Sequence, residues 1–225
     1  AQPSIDFHVL SALWIGKVGH KYDAKLGCCA SGNRLRRKVD RELNPFSLGS
    51  FQPYLHPYRC WRDSGTKTMH QALSEGKKVV SITADISSFY HELNPDFMLD
   101  KSFLEAIGLP LSVPDRRLTR LFIDALKMWA QNTPLKKGLP VGLPASGIVA
   151  NMSLIGLDRR IQEQVVPLYY GRYVDDVLLV MENGVGFDSS TEVWEWIFGR
   201  MDGLLGWSDS AKNVIAYTPQ FLRKS

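Results

Sequence analysis

Three aspartates lie where apolar runs end. Asp175 and Asp176 separate residues 168–174 from residues 177–181, a pattern that predicts a hairpin with two carboxylates at its turn. Neighbouring carboxylates repel by ~4 kcal/mol at about 4 Å and an effective dielectric of about 20, so an apolar hairpin that keeps both needs a compensating charge. A divalent cation is the simplest source of that charge. Mg²⁺ favours a few carboxylates together with substrate phosphate oxygens, and a third carboxylate, Asp85, closes the apolar, β-branched run at residues 79–85 (VVSITAD). Three such groups can hold two metal ions for an in-line displacement, one ion activating the attacking hydroxyl and the other stabilising the leaving oxygen. The plainer alternative is a polar turn, because Asp is a common turn residue and a dipeptide match is weak by itself.

The elements that must position these groups follow from periodicity and punctuation. Residues 79–85 predict a central strand with its terminal carboxylate at a sheet edge. A helix is expected from Asn94-Pro95, where Asn suits the cap and Pro the first turn. Another is expected over residues 114–130, with Leu118, Leu121, Phe122, Ala125 and Trp129 on its inner face. Residues 133–142 read as a loop, and residues 145–164 as a buried helix that starts on small residues. The sequence further predicts the carboxylate hairpin, a helix near 190–205 and a short strand near 214–217. Residues 46–68 are rich in Pro, aromatics and Arg without clear period, which predicts irregular structure with a binding surface.

Composition sets the bounds. The 225 residues are 44% hydrophobic and 22% charged, which is ordinary for a globular chain and argues against disorder. A formal charge of +4 is mildly basic, and its distribution is uneven. Arg34, Arg36, Arg37, Lys38 and Arg41 cluster, while Glu182, Asp188, Glu192 and Glu195 make the later part acidic. Three cysteines, Cys28, Cys29 and Cys60, give neither a disulfide framework nor a zinc spacing, which suits a reducing cytoplasm. No secretory signal is visible, and polar residues interrupt the apolar run at 141–157, so a membrane location is not expected. The five histidines show no metal-ligand spacing, and Gly76-Lys77-Lys78 lacks the glycines of a phosphate loop.

Three segments together resemble reverse transcriptases. Asp85-Ile86-Ser87-Ser88-Phe89-Tyr90 resembles the first palm motif, Leu139-Pro140-Val141-Gly142 with Ser146 and Asn151 the second, and Tyr173-Val174-Asp175-Asp176 the third, in the family's order. The resemblance covers about the last two thirds of the chain. It implies an α+β right-hand polymerase, with a fingers-like region at 1–78 and a palm at 79–225 that carries a helical fingers insertion at about 96–138. An antiparallel sheet backed by helices is expected, with no evident thumb. Processivity would then come from a protein partner, an oligomer, bound RNA or further chain, and the polar ends of the sequence suggest a piece of a longer polypeptide.

The implied activity is RNA-directed DNA synthesis. A dNMP would pass to a 3′ hydroxyl or a protein hydroxyl, with an RNA template or non-coding RNA, dNTPs and a DNA product as partners. Mg²⁺, with Mn²⁺ as an alternative, would be held by Asp85, Asp175, Asp176 and the Ile86 carbonyl. By the same resemblance, Tyr90 crowds the sugar 2′ position, Gly142, Ser146 and Val174 lie along the substrate, and Lys212 donates a proton to departing pyrophosphate. Tyr90 could instead be a core aromatic, and Lys212 a surface charge. Ser146, Val149, Ala150 and Ser153 share one helix side, a slim face that a base pair could approach, and close helix packing there is compatible with that reading. Arg34 and Arg36 alternate around Leu35 and resemble a basic fingers segment that meets phosphates, although charge clusters usually belong to a solvated face. Tyr54, Tyr58, Arg59, Trp61 and Arg62 interleave aromatic and basic groups as single-strand binders do, or pack between lobes.

Two departures narrow the resemblance. Val141 stands where many relatives have Gln, and Gly147 where Pro is frequent, as in divergent bacterial reverse transcriptases tied to abortive infection and phage defence. Untemplated or protein-primed DNA synthesis, RNA-dependent RNA synthesis and a catalytically silent RNA-binding subunit remain the alternatives.

Overall fold

The computed structural model describes residues 2–38, 43, 51–212 and 214–218, so Arg41 of the basic cluster and residues 46–50 of the Pro-rich stretch lie outside it. Helices flank a three-stranded antiparallel sheet, and a two-stranded sheet follows. The strands are β1 (Val79–Ala84), β2 (Tyr169–Tyr173) and β3 (Asp176–Glu182), in spatial order β1-β3-β2. β2 and β3 form the predicted hairpin, closing on the pair Tyr173 and Asp176. Only Val174 and Asp175 therefore make the turn, and Asp176 is already the first residue of a strand.

The N-terminal α1 (Ile5–Trp14) is capped by the Ser4 side chain and continues through a wide turn at Ile15–Gly19 into α2 (His20–Asp23). α3 (Leu55–Ser74) packs on the sheet. This helix corrects the reading of residues 46–68 as irregular. Pro57 falls in its first turn, where an amide proton has no helical acceptor, so proline there does not break the helix.

After β1 come a single turn, α4 (Phe89–Glu92), and a 3₁₀ segment at Pro95–Leu99 whose start is capped by Asn94, accepting from the Asp96 amide at 3.0 Å. The expected start near Asn94 is present, but α5 (Lys101–Ala106) begins again at a new cap, Asp100. α6 (Val113–Gln131) opens on a Ser112–Asp115 capping box. Its inner face is rotated from the expected one. Leu121 is 56% exposed, whereas Thr119, Phe122, Ile123, Leu126 and Ala130 are buried. The cause is α1: Trp14 stacks on Phe122 with centroids 4.7 Å apart and donates its indole N–H to Thr119 Oγ1 at 3.1 Å. A count of apolar residues alone passes over the threonine that this interface uses.

The expected helix at 145–164 is three pieces. α7 (Pro144–Ser153) stops at Leu154, α8 (Ile155–Arg160) follows, and a π-helical turn at Ile161–Val165 ends at Val166 in a left-handed conformation. Ser153 Oγ donates to the Ala150 carbonyl at 2.8 Å, a back-bond of the kind that bends helices. The final helix, α9 (Ser190–Phe198), is also shorter than expected, because residue 205 already belongs to β4 (Leu205–Trp207), which pairs with β5 (Ile215–Tyr217). Tyr217 ties this small sheet to α7 by donating to the Ser153 carbonyl at 2.8 Å. One hydrophobic cluster runs from Phe7 to Leu204 and joins both parts of the chain.

Candidate active site

β1 runs antiparallel to β3 with Ala84 opposite Val177, so the register carried one residue further brings Asp85 opposite Asp176. Asp175 is the second residue of the hairpin turn. The three carboxylates sense one another: Asp175 is raised above the ordinary carboxylate range by burial and by Asp85 and Asp176, and Asp176 by burial and Asp85. Among the described residues no cation pairs with any of them. Nor do three His, Cys, Asp or Glu side chains among those residues form a ready-made metal cage. A convergent but open set of carboxylates fits Mg²⁺, which keeps several non-protein ligands and is commonly completed by substrate phosphates.

The turn between β2 and β3 is strained. Val174 has φ 61°, a left-handed conformation uncommon for a β-branched residue, so the surroundings must hold it. The principal holder is Arg172, fully buried on β2. Its guanidinium donates to the Val174 carbonyl at 3.1 Å, to Asn151 Oδ1 at 2.6 Å and to the Asn151 carbonyl at 3.0 Å. Two further bonds reach the Asp158 carboxylate at 2.8 and 2.9 Å. Burial alone would lower the Arg172 pKa, but Asp158 outweighs it and keeps the guanidinium charged. Tyr170 donates to the same carboxylate at 2.7 Å.

Asn151 carries this network into the N-terminal region. Its amide donates to the carbonyls of Gly32 at 2.8 Å and Asn33 at 3.4 Å. Gly32 lies flat against the β2–β3 turn, where a Cβ would stand 2.6 Å from Val174 Cγ2 and 2.8 Å from the Val174 amide nitrogen. Asn33 in turn donates to the Tyr90 hydroxyl at 3.1 Å. Tyr90 is half-buried, edge-on to the buried Phe89, and its pKa is raised to about 12 by burial and by Asp175. Tyr90 therefore belongs to the carboxylate site as well as to the edge of the core.

Several residues singled out from the sequence have other surroundings. Ser146, Val149, Ala150 and Ser153 are all buried, so this side of α7 is a packing seam and not an open face for a base pair. Ser146 Oγ has no hydrogen-bond partner among the described residues. Gly147 is explained by the same seam, since a Cβ on it would come within 2.9 Å of the Asn33 side-chain nitrogen. Gly142 has φ 90° in open space, a conformation that glycine allows. Val141 is 67% exposed and Ile86 packs at the core margin.

The expected pair of phosphate-facing guanidiniums is not formed. Arg34 bonds Asp23 Oδ1 at 3.0 Å and the carbonyls of Gly27 and Ala30 at 3.0 and 2.8 Å, so it anchors its own loop. Arg37 joins it on Asp23, which is buried, because that carboxylate requires neutralisation. Arg36 is half-buried. Lys212 pairs with Glu195 of α9. Tyr54 and Tyr58 stack at 5.2 Å, and each meets the Tyr173 ring edge-on at 5.3 Å, directly before the β2–β3 turn.

Sequence reasoning missed Arg172, Asp158, Gly32 and Asn33. A signal existed for the first two: a lone Arg inside the aromatic run Tyr169-Tyr170-Gly171-Arg172-Tyr173 must find an anion if it is buried. Gly32 and Asn33 gave none, because their role depends on contacts far away in sequence.

The antiparallel sheet thus brings carboxylates toward one end, beside a tyrosine and a strained turn. The family described as reverse transcriptase (RNA-dependent DNA polymerase) matches residues 26–194, and the chain belongs to that family. It is thus a nucleotidyltransferase, an RNA-directed DNA polymerase. The family works with divalent metal ions, RNA templates and dNTPs. No curated protein matches the chain. No described helix is long and apolar enough to cross a membrane.

Proposed function

We propose that Asp85, Asp175 and Asp176, with the Ile86 carbonyl, hold two Mg²⁺ ions (or Mn²⁺) and that the chain transfers dNMP to a 3′ or protein hydroxyl with release of pyrophosphate. The observation that carries this reading is the set of mutually repelling carboxylates with no cation among the described residues. When bound, the ions supply charge neutralisation at the attacking and leaving oxygens. The protein's own part is positioning: Arg172 holds the turn, and the sheet register fixes Asp85 against Asp176. Tyr90 stands beside Asp175 as the group that excludes a ribose 2′ hydroxyl. Arg36 is the guanidinium of the pair left to meet phosphate, and Lys212 would have to leave Glu195 to protonate pyrophosphate.

In this reading the sheet and α7 form the palm, and the segments before β1 and around α6 the fingers. Val141 and Gly147 favour a divergent, defence-associated type, acting in the cytoplasm against phage with a non-coding RNA or protein partner. The exposed aliphatic Val141, which offers no polar contact, also favours untemplated or protein-primed synthesis as the second reading.

Asp175→Asn and Asp85→Asn are expected to reduce dNTP incorporation to background with the circular dichroism spectrum unchanged. Normal incorporation by either variant would overturn the assignment. Sequencing the polymer made with and without added RNA separates templated from untemplated synthesis.

A further inference from the structure

The Tyr90 ring can exclude a 2′ hydroxyl only if it does not yield when one presses on it. Its main chain is fixed, since the Tyr90 carbonyl accepts from the Leu139 amide at 2.7 Å, and Phe89 meets its ring at a centroid distance of 5.7 Å. Among the described residues its hydroxyl has one hydrogen-bond partner, the Asn33 carboxamide at 3.1 Å. Asn33 is itself unusually well held. It occupies a left-handed conformation, φ 51°, which Asn tolerates better than most residues. Its carbonyl and that of Gly32 accept from Asn151, and its side chain lies against Gly147, where any Cβ would collide with it. Asn151 hangs on Arg172, the guanidinium that also holds the Val174 carbonyl of the catalytic turn. The tip of the Tyr90 ring and the metal-ligating turn are therefore referred to one buried frame.

We propose that Asn33 is a specificity-determining positioning residue, which sets the preference for deoxynucleotides by pinning the Tyr90 hydroxyl to the frame that carries Asp175. The inference rests on the reading of Tyr90 as the residue that excludes the 2′ hydroxyl. Asn33 acts only through Tyr90, by limiting how far the ring swings. Without the bond, the ring is held at its base and by Phe89 but not at its tip, and a ribonucleotide can displace it.

The test uses the full chain on poly(rC) primed with oligo(dG), comparing kcat/KM for dGTP and GTP. Asn33→Gly removes the carboxamide and keeps the left-handed backbone at no steric cost. Tyr90→Phe removes the same bond from the other side and leaves Asn33 in place, so the inference stays testable if Asn33→Gly fails to fold. Each variant should lower the dGTP/GTP ratio by roughly threefold to tenfold, the weight of one hydrogen bond, chiefly through a lower KM for GTP. The double variant should be no worse than the poorer single one, because both remove one interaction. A purely structural role would depress both nucleotides alike and leave the ratio unchanged, which overturns the inference, as would losses that multiply in the double variant. Tyr90→Ala separates the two levels. If it leaves the ratio unchanged, or if the parent chain incorporates neither nucleotide, the underlying reading fails; if it collapses the ratio while Asn33→Gly and Tyr90→Phe do not, the inference alone fails.

Discussion

Asp175 sits where burial and neighbouring charge destabilise a carboxylate. Its carboxyl is raised by burial and by the neighbouring Asp85 and Asp176. Because the folded pKa lies above the unfolded one, the folded state binds more protons in the window between them. Stability of the metal-free protein should therefore fall as pH rises through the ordinary carboxylate range and just above it, and stay reduced at neutral pH. Mg²⁺ should flatten this dependence. By the same logic Asp175→Asn, expected to be inactive as an enzyme, should be the more stable protein in EDTA. Relief of repulsion worth about 1 kcal/mol would raise Tm by about 2–4 °C for a chain of this size. A lower Tm in differential scanning fluorimetry would mean that the carboxylate makes stabilising contacts instead.

At the scale of elements, the hairpin is held by a buried charge pair, and burial makes that pair sensitive to the loss of either partner. Replacing Arg172 by Met leaves Asp158 3% exposed without its cation, a change expected to cost about 3–5 kcal/mol in urea denaturation. Pairing Arg172→Met with Asp158→Leu should recover a good part of that stability, since no lone charge stays buried. It should not recover incorporation, because the Val174 carbonyl has lost its donor and the strained turn its support. Recovery of both would show that the guanidinium acts in folding alone. The elements themselves were legible to different degrees. Residues 79–85 and the Asp175-Asp176 hairpin stood out because apolar runs ended on carboxylates. The inner face of α6 did not, because Thr119 belongs to it through a bond to Trp14.

Across the whole molecule, the N-terminal region and the sheet share one surface beside the site. Tyr54, just before α3, and Tyr58 on α3 meet Tyr173 of β2, an aromatic cluster next to the β2–β3 turn that would suit stacking of a primer or template base in the proposed reading. Tyr58→Ala is expected to weaken single-stranded RNA binding by about 1–3 kcal/mol, the usual weight of one stacked base. Fluorescence anisotropy in EDTA reads this apart from catalysis, and unchanged affinity would assign the cluster to packing. That Asp85 closes one apolar strand and that Asp175 and Asp176 lie at a hairpin was determined by sequence alone, because apolar strands announce their ends. That Ala84 lies opposite Val177, and so brings Asp85 toward Asp176, was decided by strand register. That Arg34 anchors a loop, that the side of α7 carrying Ser146 is sealed, and that Gly32 and Asn33 reach the catalytic turn were decided only by tertiary packing. A guanidinium's role depends on which oxygens surround it, and those oxygens come from residues that the chain brings together only when it folds.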